Sequence, residues 1–197
     1  EALLLERAAA LRREAELAIN THNQEQERLL HAEADVAHKR GDHEEARRLL
    51  VQALALAPGD EVIQALIARH TEILDARRAR DLLERAEVFV DGVGMRNDAL
   101  RLAREAAQLS AIREIRLRAL LVLAKGGAAD EAATLAQELV NLDARDPLAL
   151  QALLHLHERA ERWLPALRAG RALLRERSDD AELRKRVERI AARVQKE

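Results

Sequence analysis

Apolar residues recur three and four positions apart along almost the whole chain, the period of an amphipathic helix, and no stretch alternates as a half-buried strand does. Residues 2–19 carry Leu4, Leu11, Ala15, Ala18 and Ile19 at that spacing. Asn20 is placed to end this helix, and Thr21-His22-Asn23-Gln24 has the form of a capping box for a second one. The alternative is one unbroken helix to Lys39. Residues 31–58 then give a small-residue helix with Ala34 and Ala37, a Gly41-Asp42 turn, and a helix opened by Glu44-Glu45-Ala46 that stops at Pro58. That second helix carries Leu50, Ala53 and Leu56. Asp60 is positioned to cap the next helix.

From 61 to 90 there is neither Gly nor Pro. Ile63, Ile67, His70 and Leu74 form one stripe, and Ala79, Leu83, Ala86 and Val90 form another. The pattern predicts two helices meeting at Asp75, with a single helix of about 45 Å as the alternative at 1.5 Å per residue. Gly92-Val93-Gly94 is a turn, and Asn97-Asp98-Ala99 opens a helix with Ala103 and Ala106. A turn near Ser110 leads to a helix over 112–125. Gly126-Gly127 follows, then a helix with Asp130, Glu131, Ala132, Ala136 and Leu139. Asp146-Pro147 starts another with Leu150 and Leu154; a break is expected around 163–165, then Ala166, Leu173 and Leu174. A last helix over 180–195 has Leu183, Val187, Ile190 and Val194 on one side and Arg184, Lys185, Arg186, Arg189 and Arg193 on the others.

The block 31–58, with small residues at fixed offsets and a closing proline, resembles the tetratricopeptide (TPR) repeat, a helix–turn–helix unit of about 34 residues. The resemblance covers roughly 27–180 and is good again over 115–147. The chain departs from the family in lacking its usual aromatic positions. What the resemblance implies is an all-α, right-handed superhelical TPR-like solenoid of antiparallel helix pairs. An N-terminal helix over 1–26 is expected as the remnant or cap of a longer array. Repeats follow at 27–60, 79–112, 113–146 and 147–180, with an irregular segment at 61–78 and a capping helix at 181–197. The small residue opening each second helix falls at Ala46, Ala99, Ala132 and Ala166. The last two intervals fit one repeat each; the first exceeds one repeat by about one helix, so a kink or a local change of superhelix is expected there.

Composition narrows this picture. Aromatics make up 1% of the chain against 48% hydrophobic residues, so the core is built of Leu, Ala, Ile and Val, a helical palette. Net charge is −2, which gives no long-range attraction for polyanions or membranes. With no cysteine there is neither disulfide nor thiol chemistry. The longest wholly apolar run, 119–124, is far short of a membrane span. Lysine occurs only at 39, 125, 185 and 196, a bias toward arginine that hints at a GC-rich bacterial genome. A start at Glu1 rather than Met points to an excised piece of a longer protein, leaving cytoplasm and periplasm equally open.

In the resembling family, ligands lie on the inner faces of the first helices, and helical spacing maps that face onto four sets. They are Arg28, His31, Asp35, His38 and Lys39; Asp81, Glu84, Arg85, Val88 and Asp91; Glu114, Leu117, Arg118, Leu121 and Lys125; and Leu148, Gln151, His155, Glu158 and Arg159. A single charged residue on such a face is ordinarily just solvated, so the expectation attaches to the face as a whole. His31, Asp35 and His38 share a helix face and have metal-ligating chemistry, but no fourth ligand is suggested and a polar groove explains the trio equally well; no metal and no cofactor are assigned. His155 and His157 point to different sides of one helix, and His157 reads as a satisfied core histidine.

Catalysis finds little support. The serines, at 110 and 178 only, sit in no Gly-flanked elbow, and carboxylates on helix surfaces ordinarily pair with neighbouring arginines. Gly92-Val93-Gly94 lacks the Lys-Ser/Thr and the preceding strand of a phosphate loop. Ala76-Arg77-Arg78-Ala79-Arg80 and the arginine-rich last helix lack aromatic interleaving and stand among acids, so they read as solvated faces rather than nucleic-acid sites. The expectation is a protein–protein interaction scaffold that holds a partner protein or peptide in a concave groove, within a bacterial envelope, exopolysaccharide or secretion assembly. The alternatives are a sensor domain binding a small ligand or peptide signal, and a module that self-associates into homo-oligomers.

Overall fold

The computed structural model describes residues 2–196, less the side chains of residues 2–6, 8 and 9. The described residues are helical with no strand: α1 (Ala2–Lys39), α2 (His43–Leu56), α3 (Glu61–Val90), α4 (Arg96–Leu109), α5 (Arg113–Lys125), α6 (Ala129–Leu142), α7 (Pro147–Arg159), α8 (Trp163–Glu176) and α9 (Ala181–Val194). They form two compact units, one up to Asp75 and one from Ala76 onward, so α3 contributes its first residues to the former and its last to the latter.

Two expected helix breaks are absent. α1 runs through Asn20, and α3 runs through Asp75. The reason is visible at Thr21, whose hydroxyl donates to the Leu17 carbonyl one turn back (2.8 Å) instead of accepting a backbone N–H as an N-cap does. Thr71 does the same to Ile67 in α3 (2.8 Å). Without Gly or Pro, nothing else stops either helix. Of the first predicted stripe, Leu4 lies outside the described side chains, while Leu11 and Ile19 are 60% and 59% exposed and therefore uncovered in this unit.

The turns follow their chemistry. Gly41 adopts φ +77, and the Asp42 N–H donates back to the Ala37 carbonyl (3.0 Å) to close α1. Asp42 then caps α2 by accepting from Glu45 N (3.0 Å), and Asp60 caps α3 by accepting from Val62 N (2.8 Å) and Ile63 N (3.0 Å). The break after α7 falls at 160–162, three residues before its expected place, because Pro165 is tolerated inside the first turn of α8.

In the first unit, Ala34, Ala37, Ala46, Leu49, Leu50, Ala53 and Ile63 form the core, with Leu30, Leu54, Leu66 and Ile67 around it. In the second, a continuous core runs from Ala76 to Ile190. The residues predicted to open the second helices, Ala46, Ala99, Ala132 and Ala166, are all 0% exposed. Only a methyl fits where the two helices of a hairpin approach most closely, and that fixes the repeating offset. α9 buries Leu183, Val187 and Ile190 on one side and carries its charged residues on the others.

Candidate interaction surface

In the second unit the helices form two rows tied by ion pairs. Arg118 on α5 grips Glu87 on α3 with two bonds (2.8 and 2.9 Å), Lys125 at the end of α5 pairs with Asp91 (2.6 Å), and Arg186 on α9 pairs with Glu158 on α7. In the other row, Arg104 on α4 makes two bonds to Glu131 on α6 (2.6 and 2.8 Å), and Arg162 before α8 bonds Asp130 (2.8 Å). Within the first row again, Arg113 at the start of α5 holds Asp146, the N-cap of α7. Arg118 holds the Glu87 carboxyl below its ordinary range, so the pair persists into mildly acidic solution.

The predicted face residues therefore separate by role. Asp91, Arg118, Lys125 and Glu158 are committed to holding one helix to the next. Gln151 accepts from Arg177 at 3.4 Å. Asp81, Glu84 and Arg85 are exposed on α3. His155, Glu158 and Arg159 come together around one open hollow of about 600 Å³, which Trp163, Arg186, Arg189, Arg193 and Lys196 also line. Arg193 stacks over the Trp163 ring at 4.3 Å. Arg189, Arg193 and Lys196 were not among the predicted residues; their signal was the arginine-rich face of the last helix.

Three apolar residues of the predicted face stand in water: Val88, Leu121 and Leu148 are 71%, 63% and 51% exposed, one on each of α3, α5 and α7. Leu117, expected beside them, is buried in the core. His155 is exposed while His157 is half-buried against a different hollow with Leu150, Leu153 and Pro165. Burial, with the positive charge of Arg162, holds His157 below the usual histidine range, so it is neutral near pH 7.

In the first unit Arg28, Asp35 and Lys39 are exposed and His31 is half-buried. The trio His31, Asp35 and His38 is not the set the structure assembles. His38 turns instead against His43 and His70, with ring centroids 5.5 and 5.2 Å away. His43 and His70 escaped the sequence reading because one opens a helix and the other sits in a stripe otherwise apolar; a histidine in such a stripe was the available sign.

Helix pairs at intervals of 33 and 34 residues, each second helix opened by a buried alanine, define a helical repeat of tetratricopeptide type. No family model matches the chain, and no curated protein matches its sequence. Among solved structures it is similar to a thermophilic TPR protein of Thermus thermophilus, at 20% identity over 84% of this chain and 99% of that one, with a TM-score of 0.45. It is also similar to the TPR domain of P58(IPK), at 17% identity over 87% of this chain and 48% of that one, TM-score 0.46. A third is PilW, described as a type IV pilus biogenesis factor, at 13% identity over 86% and 87% of the two chains, TM-score 0.48.

Proposed function

We propose that the chain is a protein–protein interaction module whose second unit holds an extended partner segment that is both acidic and apolar. The observation that carries this reading is the hollow beside α7 and α9. Arg159, Arg186, Arg189, Arg193 and Lys196 line it against the single carboxylate of Glu158. Five cations around one anion attract a carboxylate-bearing segment even though the chain's net charge is slightly negative, because nearby charges dominate within a Debye length of about 8 Å. Val88 on α3, Leu121 on α5 and Leu148 on α7 supply apolar contacts, and three exposed aliphatic side chains on alternate helices suit a peptide crossing that row. The setting that accompanies this reading is a bacterial envelope or secretion assembly, which the arginine-for-lysine bias supports.

Selection of a displayed peptide library on the immobilised chain, counter-selected on an R159E/R189E/R193E variant, tests it. Sequences mixing Asp or Glu with Leu, Ile or Val are expected, bound more weakly as salt rises. Enrichment of basic peptides, or equal retention by the variant, would overturn the reading.

A further inference from the structure

His38 in the last turn of α1, His43 at the start of α2 and His70 on α3 bring three imidazoles into one cluster within the first unit. One ligand-capable nitrogen from each lies within 4.8 Å of the others. Nδ1 of His43 and Nδ1 of His70 face each other at 3.0 Å, a distance that requires one ring to donate and the other to accept, so at least one of them is neutral. His70 is 3% exposed. Nδ1 of His38 is buried and has no hydrogen-bond partner among the described residues, an arrangement as costly as a lost hydrogen bond unless something else engages it.

We propose that His38, His43 and His70 form a binding site for a divalent late first-row transition metal, Zn²⁺ foremost, with a fourth position open. Imidazole nitrogen is the common ligand of Zn²⁺, Ni²⁺ and Cu²⁺, and Zn²⁺ accepts three protein ligands with the fourth position left to water or to a ligand. With Zn–N bonds of about 2.05 Å, a tetrahedral site places its nitrogens about 3.3 Å apart. The His43–His70 pair already stands near that separation, and small side-chain rotations of His38 bring in the third. Cation binding also explains why three rings that repel one another's protons are held together. The turn between the first two histidines is fixed independently, by Gly41 at φ +77 and by the Asp42 cap, so their positions do not await the metal.

The test is a titration of the tag-free chain with Co²⁺, read by its visible d–d absorption, and with Zn²⁺, read by competition against a chromophoric chelator. One equivalent per chain is expected. H38N, H43N and H70N should each weaken binding by more than the 10- to 100-fold that loss of an outer partner costs, roughly, while H31N and H155N bind as the parent does. H70N removes a buried side chain, so H43N at the half-buried helix start serves as the folded control, checked by circular dichroism. No saturable binding by the parent, or binding that H38N and H43N retain in full, would overturn the site.

Discussion

Asp146 is the most committed side chain of the second unit, and its removal makes a sharp prediction. Its Oδ1 accepts from Leu148 N (3.0 Å) and Ala149 N (3.1 Å), capping α7, while Arg113 donates Nε to Oδ2 (2.6 Å) and Nη2 to Oδ1 (2.9 Å) from the start of α5. Asp146 is 1% exposed, whereas the Arg113 side chain is 52% exposed. D146A loses the cap, at about 1 kcal/mol. It also loses the pair, which solvent at Arg113 holds to about 0.5–1 kcal/mol rather than the larger value of a fully buried pair. The expected loss is about 1.5–2 kcal/mol. D146N keeps an oxygen for the cap and should lose about 1 kcal/mol or less. Trp163, the single tryptophan, lies in the same unit, so urea unfolding followed by its fluorescence reads the effect as a midpoint drop of about 1 M for D146A. Arg113 and the two N–H groups hold the Asp146 carboxyl below its ordinary range. A carboxylate depressed on folding stabilises above its unfolded pKa of about 4 and ceases to as pH falls through its folded value. The gap between wild type and D146N should therefore be constant from about pH 5 to 7 and close below pH 4. D146A within 0.5 kcal/mol of wild type by this assay, or D146N as damaging as D146A, would refute the reasoning; each outcome is roughly the margin by which capping effects are resolved.

Other consequences are open to the same measurement. Glu161 holds φ +55 after α7, where Gly41, Gly94 and Gly127 hold φ +77, +78 and +90 after other first helices. E161G relieves that left-handed backbone and should stabilise by up to about 1 kcal/mol after the glycine's entropy is counted; a lower urea midpoint would reject this. In G170A the new methyl meets Val187 Cγ2 at 2.8 Å and Leu154 Cδ1 at 3.4 Å. Overpacking of about 1–3 kcal/mol exceeds the helix-propensity gain of about 1, so a net loss is expected, and it should be recovered when Val187 is cut to Ala. L121D, at a residue 63% exposed, should leave stability within about 0.5 kcal/mol while weakening capture of selected acidic peptides; unchanged capture would remove Leu121 from the surface.

Much of this fold can be read from the chain because steric closeness leaves a compositional mark. Alanines at 46, 99, 132 and 166, glycines at turns with positive φ, and aspartates at 42, 60, 146 and 180 each report a local geometry that other residues fill poorly. Helix continuity left no such mark. Thr21 with Gln24 has the composition of a cap, and only the hydroxyl's bond to Leu17 shows that it lies inside α1. The site was legible in part. Periodicity places Arg118 and Lys125 on a face, but it cannot show that Glu87 on α3 and Asp91 just past its end occupy them. Nor does it reveal that Glu161 takes the backbone conformation that three other turns give to glycine.

The irregular repeat interval and the histidine cluster have one origin. Ala46 to Ala99 spans 53 residues, against 33 and 34 for the intervals that follow. The excess is taken up inside α3, whose residues up to Asp75 pack in the first unit with no second helix of their own after them. In the second unit each first helix is followed by a partner that buries its apolar stripe, and charges at the rims find opposite charges one helix away. In the first unit Ile63 and Ile67 of the α3 stripe pack with α1 and α2, and His70 meets them at a turn where two more histidines converge. A polar trio packed together with one ring buried lowers stability unless its nitrogens are engaged, and such local departures from packing rules concentrate where a protein binds something. That contrast is why different ligands are proposed for the two units: an anionic segment for the cations of the second, and a metal cation for the imidazole nitrogens of the first.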